Sequence, residues 1–232
     1  MRTYRGPEGD ERLWFDDDEI ELIMEDELRR AGLLPTLAAS VVDLESFIER
    51  HLKATLDQYA DLDQTVLGLT EFRSGNSPNI RINKDLTGSA MDSEWCPPGI
   101  QGRWRATLAH EASHIVLHRM LFEMNPAQIT MFEVQTSESM LFRCLKRDVA
   151  YRGGTSDWRE VQANRGMAAL LMPKTAFMDA ARQEVTDNSK AGLAVATRRL
   201  AERFSVSREA TAIRLRTLGF RSSDGELLVF EA

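Results

Sequence analysis

TLAHEASHIVLH, residues 107–118, carries three of the four histidines in a chain of 232 residues, and two of them bracket a glutamate as His110-Glu111-Ala112-Ser113-His114. No glycine or proline interrupts residues 103–124, and Trp104, Leu108, Ala109, Ala112, Ile115, Val116 and Leu117 make the run apolar on most sides. That pattern predicts a helix mostly buried in the core. On such a helix His110 and His114 stand one turn apart on the same face, where both imidazoles can offer a nitrogen to one metal ion. Glu111 lies about 100° round the helix, placed to take a proton from a nearby water rather than to bind the metal itself. Histidines satisfied by hydrogen bonds in a core are the plainer alternative, but a buried glutamate without such a task would be costly.

A catalytic zinc takes three protein ligands and keeps one position open. His118 is eight residues beyond His110, about 12 Å along a helix axis, and nothing between them breaks the helix. A packing or capping role suits it better than ligation, and it is considered with Tyr151 as a donor to a developing oxyanion. The third ligand is sought in DWREVQANRGMAALLMPK, residues 157–174, which predicts a helix from about 157 to 172 stopped by Pro173. Glu160 and Asn164 share one face of it, and Ala163, Met167, Ala168, Leu170 and Leu171 supply an apolar surface that allows close helix packing. Taken alone, Glu160 reads as an ordinary exposed helix glutamate. Brought against the histidine helix, it would complete a ligand set, with Asn164 hydrogen-bonding a ligand from behind. Asp157, Glu138 and Glu133 are the alternatives.

Composition sets the class. With 43% hydrophobic and 28% charged residues, the chain is an ordinary globular protein. No apolar run approaches the ~20 residues of a membrane span and no signal-like stretch follows Met1, so a cytoplasmic location without membrane contact is expected. Cys96 and Cys144 are too few for a disulfide framework and read as reduced thiols; a thiolate of Cys96 capping the metal is the alternative reading. The net charge of −7 is unevenly spread, with 17 acidic against 7 basic residues over 1–63 and 8 basic against 2 acidic over 190–221. An acidic protein with one basic segment is a poor general nucleic-acid binder.

Along the chain, residues 16–30 and 43–60 read as amphipathic helices separated by Gly32 and Pro35. Residues 65–72 and 79–83 read as a hairpin, and 79–83, as a sheet edge, would hold an extended peptide. Residues 84–102 read as mostly loop, and 129–134 and 140–144 as candidate strands. The tail, 190–219, reads as two helices joined at Phe204-Ser205-Val206-Ser207, with Ser205 or Ser207 capping the second. Residues 200–220 have the look of a helix-turn-helix, with Arg208, Arg214 and Arg216 in its second helix.

LAHEASHIVLH and VQANRGMAALLMP, in this order after a short hairpin, resemble the ImmA/IrrE family of bacterial metallopeptidases over roughly residues 40–220. The resemblance implies His110, His114 and Glu160 as metal ligands and Glu111 as the base. It implies a mostly helical α+β fold: a small zincin-like core of the gluzincin type in residues 1–180, with a short hairpin or sheet, and a helical, helix-turn-helix-like module in 181–232. Zinc is the expected ion, with manganese or iron able to occupy the same donors. Members of the family act as site-specific endopeptidases that cut a helix-turn-helix repressor and so switch on stress-response or mobile-element genes. Gly166 stands where relatives often have a larger apolar residue, and Gln162 where they often have an acid. A DNA-binding regulator and a non-catalytic metal-binding protein are the competing expectations.

Overall fold

The computed structural model describes residues 2–5, 11–36, 40–73, 75–92, 96, 99–124, 139–145 and 157–222. Among these, strands β1 (Arg2–Arg5) and β2 (Glu11–Trp14) pair as an antiparallel hairpin ahead of helix α1 (Asp17–Arg30). Asp16 starts α1 with a reciprocal capping box, its carboxylate accepting from Glu19 N–H while Glu19 accepts from Asp16 N–H. Ile20, Met24 and Leu28 bury one stripe of this helix.

The segment 43–60, expected to be one helix, changes structure halfway. A helical turn at Leu44–Ser46 runs into a π-helical Phe47–His51, and β3 (Thr55–Ala60) follows. Lys53 sits in the left-handed region at φ 56°, and Ala54 N–H returns to Ile48 O, which closes the helix end. Leu56 therefore belongs to a strand whose side chains alternate in exposure, not to the next helical turn.

The expected hairpin is present as β4 (Val66–Arg73) and β5 (Asn79–Asn83), paired antiparallel. With β6 (Ser139–Leu145), which contains the expected strand 140–144, they form a four-stranded sheet in the order β3-β5-β4-β6. β3 runs parallel to β5 and β6 antiparallel to β4. β5 is consequently an inner strand, because β3 covers the side expected to be open, and its backbone is not available to a peptide. The candidate strand 129–134 lies outside the described residues.

Helix α2 (Lys84–Met91) occupies part of the expected loop, capped by Asn83, whose side-chain carbonyl accepts from Asp85 N–H. Its apolar residues Leu86 and Ala90 are four apart, too short a signal to read against the surrounding turn residues. Helix α3 (Ile100–Met124) is the histidine helix. Its polar residues Thr107, His110, Glu111, Ser113, His114 and His118 are buried along with Leu108, Ala109 and Ala112, so it is enclosed on several sides. The sheet packs on one side of it and α4 (Trp158–Leu171) on another.

Asp157 caps α4. Its close approach to α3 depends on Gly166: a Cβ there would lie 2.8 Å from Ser113 Oγ, 2.9 Å from Ser113 Cβ and 2.6 Å from Met24 Cε. Met24 ends flexibly and can yield, but the Ser113 hydroxyl is tied to Ala109 O at 2.7 Å. The larger residue expected from relatives would not fit this crossing. Gly166→Ala is expected to destabilise the protein by about 1–3 kcal/mol, read as a lower thermal midpoint; an unchanged midpoint would mean that the helices part at no cost.

Pro173 ends α4 and precedes α5 (Lys174–Glu184), which is followed by α6 (Lys190–Phe204) and α7 (Arg208–Thr217). Ser205, left-handed at φ 51°, ends α6, and Ser207 caps α7 by accepting from Ala210 N–H. Leu200, Phe204 and Leu215 join the same core cluster as Leu170 and Phe177. Arg214 is buried, donating to Met172 O and pairing with the Glu21 carboxylate of α1. The basic tail is thus fastened to the rest of the chain through one of the arginines that gave it a nucleic-acid-binding look. No helix among the described residues is long and apolar enough to cross a membrane.

Candidate metal centre

Successive turns of α3 line up His110, His114 and His118, and α4 lays Glu160, Gln162 and Asn164 alongside them. The Nε2 atoms of His110 and His114 face each other at 3.1 Å. Glu160 completes the cluster, with Oε2 3.1 Å from His110 Nε2 and Oε1 3.4 Å from His114 Nε2. Both histidines are fully buried and the Glu160 side chain is 12% exposed, so the carboxylate is the member of the cluster that reaches solvent.

The far sides of the rings decide what the near sides can do. Asn164 Oδ1 lies 3.1 Å from His110 Nδ1 and can only accept, so His110 places an N–H there and keeps a lone pair on Nε2. His114 Nδ1 meets His118 Nδ1 at 3.1 Å, and His118 Nε2 meets Gln162 Oε1 at 3.2 Å. Two nitrogen lone pairs and a carboxylate then converge on one point. Such a set repels itself unless a positive charge stands between its members, which is the requirement a divalent cation meets.

The electrostatics agree. Burial alone would raise the Glu160 carboxyl, yet His114 and His110 beside it hold it well below the ordinary carboxylate range. Burial works against a charged His110, but its bond to Glu160 and the nearby Glu111 charge outweigh that and raise its proton affinity. His114 is lowered, chiefly by burial, and His118 is driven well below the usual histidine value by burial and by His114.

Glu111, also fully buried, turns to the sheet. Thr70 of β4 donates its hydroxyl to Glu111 Oε2 at 2.5 Å. Two residues earlier, Gly68 leaves room for the carboxylate: a Cβ there would fall 2.7 Å from Glu111 Oε1 and 2.7 Å from Thr107 Cγ2. Neither Thr70 nor Gly68 stood out in the sequence. A glycine within a strand pattern is the signal that marks a close approach of this kind.

Of the other candidates, Tyr151, Glu133 and Glu138 lie outside the described residues. Asp157 is engaged as the α4 cap and in a pair with Arg159 at 2.8 Å. His118 places Nδ1 3.1 Å from His114 Nδ1 and Nε2 3.2 Å from Gln162 Oε1. Cys96 is exposed and its thiol lies 3.8 Å from Ala90 O, apart from the His/His/Glu cluster.

Residues 148–216 match the sequence profile of the IrrE N-terminal-like domain, peptidase M78. The match supports membership of the ImmA/IrrE family. It begins beyond the histidine helix and spans α4 to α7, so it includes Glu160, Gln162 and Asn164; His110 and His114 meet it through Glu160 and Asn164, whereas Glu111 bonds to Thr70 outside it. A match to a peptidase family supports a metallopeptidase-type activity and with it a protein substrate. No curated protein matches the chain.

Proposed function

We propose that the protein is a metal-dependent endopeptidase with His110, His114 and Glu160 as metal ligands and Glu111 as general base. The observation that carries this reading is the convergence of His110 Nε2, His114 Nε2 and the Glu160 carboxylate, with Asn164 Oδ1 against the opposite side of the His110 ring. Zinc suits two imidazoles and a carboxylate with an open position. Bound there, it would acidify a water and polarise a peptide carbonyl.

The remaining work falls to side chains of this chain. Glu111 takes the proton of the attacking water and returns it to the leaving amine, a double duty that needs one carboxylate held in place between the two steps. Thr70 does the holding by donating to Oε2, and Gly68 leaves the space. Asn164 keeps the His110 proton on Nδ1. Among the described strands β3 and β6 each have one neighbour, and β6 is the one that packs against α3, so its other edge suits pairing with an extended peptide.

The resemblance supplies the substrate: a helix-turn-helix repressor cut at a chosen site, in a stress-response or mobile-element switch within the cytoplasm. Residues 1–180 would carry the catalysis and 181–232 the recognition of that partner. Specific DNA binding by the tail is the weaker reading, because Arg214 is buried against Glu21 and Met172, Arg216 is half-buried and Arg208 alone of the three arginines of α7 is exposed.

A panel of helix-turn-helix repressors from the same genome, each incubated with the zinc-loaded full-length protein, tests the proposal by mass spectrometry. One repressor cut at one bond is expected, stopped by a chelator and restored by zinc. Cleavage insensitive to chelation, or none across the panel, would contradict it.

A further inference from the structure

His118 and Gln162 have no part in the chemistry described above, yet both are completely buried and bonded in series to a proposed ligand. We infer that they are positioning residues, a hydrogen-bond chain that holds His114 in the one tautomer able to bind metal. This inference rests on the reading of His114 as a metal ligand.

The chain has a direction, and its far end sets it. Gln162 presents Oε1 to His118 Nε2 at 3.2 Å, and a carbonyl oxygen can only accept, so the His118 proton resides on Nε2. A neutral imidazole carries one N–H, which leaves His118 Nδ1 as an acceptor. At 3.1 Å from it, His114 Nδ1 must be the donor. His114 then has its lone pair on Nε2, the atom 3.1 Å from His110 Nε2 and 3.4 Å from Glu160 Oε1.

Turned the other way, the same three residues would disable the site. A donor in place of Gln162 Oε1 would move the His118 proton to Nδ1, and His114 would then carry its own proton on Nε2, pointing into the ligand cluster. The amide of residue 162 therefore selects between a binding and a non-binding imidazole two side chains away. Trp158 braces the chain, its ring edge-on to His118 at 5.7 Å and 88°. His110 gets the same service more simply, from Asn164 directly.

Helix geometry explains the arrangement. His118 follows His114 by one turn on the same face of α3, too far along for the ion but adjacent to the back of the ligand ring. The third histidine of the motif thus acts one step behind the metal. Outer partners of ligand histidines typically contribute 10- to 100-fold in metal affinity, by fixing ring orientation and tautomer.

The test uses the full-length chain, with zinc affinity measured by competition against a chromophoric chelator and the His114 tautomer read from long-range ¹H–¹⁵N spectra of the metal-free protein. In wild type His114 is expected as the Nδ1–H form. His118→Phe and Gln162→Met are each expected to weaken zinc binding by ~10- to 100-fold and to shift His114 toward Nε2–H. Gln162→Met keeps size while removing the acceptor, so it serves if His118→Phe fails to fold. Wild-type His114 found as Nε2–H, or unchanged affinity and tautomer in the folded variants, would overturn the chain. A His110→Ala/His114→Ala double variant separates the two levels: if it binds zinc as tightly as wild type, the ligand assignment itself is wrong.

Discussion

Glu111→Gln is expected to lower peptide cleavage by ~10⁴ or more while leaving one metal ion per chain. Loss of a general base costs about 10²–10⁴ in rate, and here the same carboxylate must also protonate the leaving amine, which puts the loss at or beyond the upper end. Glutamine retains the size of the side chain, and its carbonyl oxygen can still accept from Thr70 Oγ1, so the helix–strand contact survives. The metal ligands are untouched by the change. The variant should therefore fold, hold its metal and capture the partner without cutting it, as read by turnover, elemental analysis and co-purification in parallel. Cleavage near the wild-type rate would remove Glu111 from the chemistry.

The second large effect is on the metal. His110→Ala, His114→Ala and Glu160→Ala are each expected to abolish stoichiometric binding, because each deletes one of three converging donors and leaves too few for a closed set. His118→Ala stays on the other side of that line: it loosens the site but remains loaded at saturating zinc. Acid should act in the same direction as the ligand substitutions, since a metal-bound imidazole must give up its proton. The raised proton affinity of His110 moves the onset of that competition to the high side of the free-histidine value of 6.5, so zinc affinity starts to fall before pH drops to that value and continues to fall below it. Full metal content in Glu160→Ala would point to another carboxylate as the third ligand.

How much of this was legible in the sequence depended on how local the signal was. The helix of residues 107–118 declared itself through an unbroken apolar run, and α4 through its Asp157 start and Pro173 stop; both formed where expected. The hairpin of β4 and β5 was marked by its turn residues. The strand β3 was hidden, because Leu52 and Leu56 continue a helical spacing that only the left-handed Lys53 interrupts, and a lysine gives no warning of that conformation. With residues 55–60 read as helix, β5 reads as a sheet edge, whereas β3 covers it. The pairing of Glu160 with two histidines 46 and 50 positions earlier is a tertiary fact, suggested by resemblance and not by spacing. The hydrogen bonds from Thr70 to Glu111 and from His118 to Gln162 are likewise invisible along the chain, since each joins residues about 40 positions apart on separate elements. Arg214 looked like a DNA contact because charge alone cannot reveal that Glu21, 193 positions away, already holds it.

The central claim is that His110, His114 and Glu160 form a metal centre, and X-ray absorption at the zinc edge of the zinc-loaded full-length protein tests it most directly. Two imidazole nitrogens at about 2.0–2.1 Å and oxygen donors at about 2.0–2.2 Å are expected, with one zinc per chain and the imidazole signal lost in the His110→Ala/His114→Ala variant. Zinc bound with no imidazole scattering, or a spectrum and stoichiometry unchanged in that variant, would contradict the account.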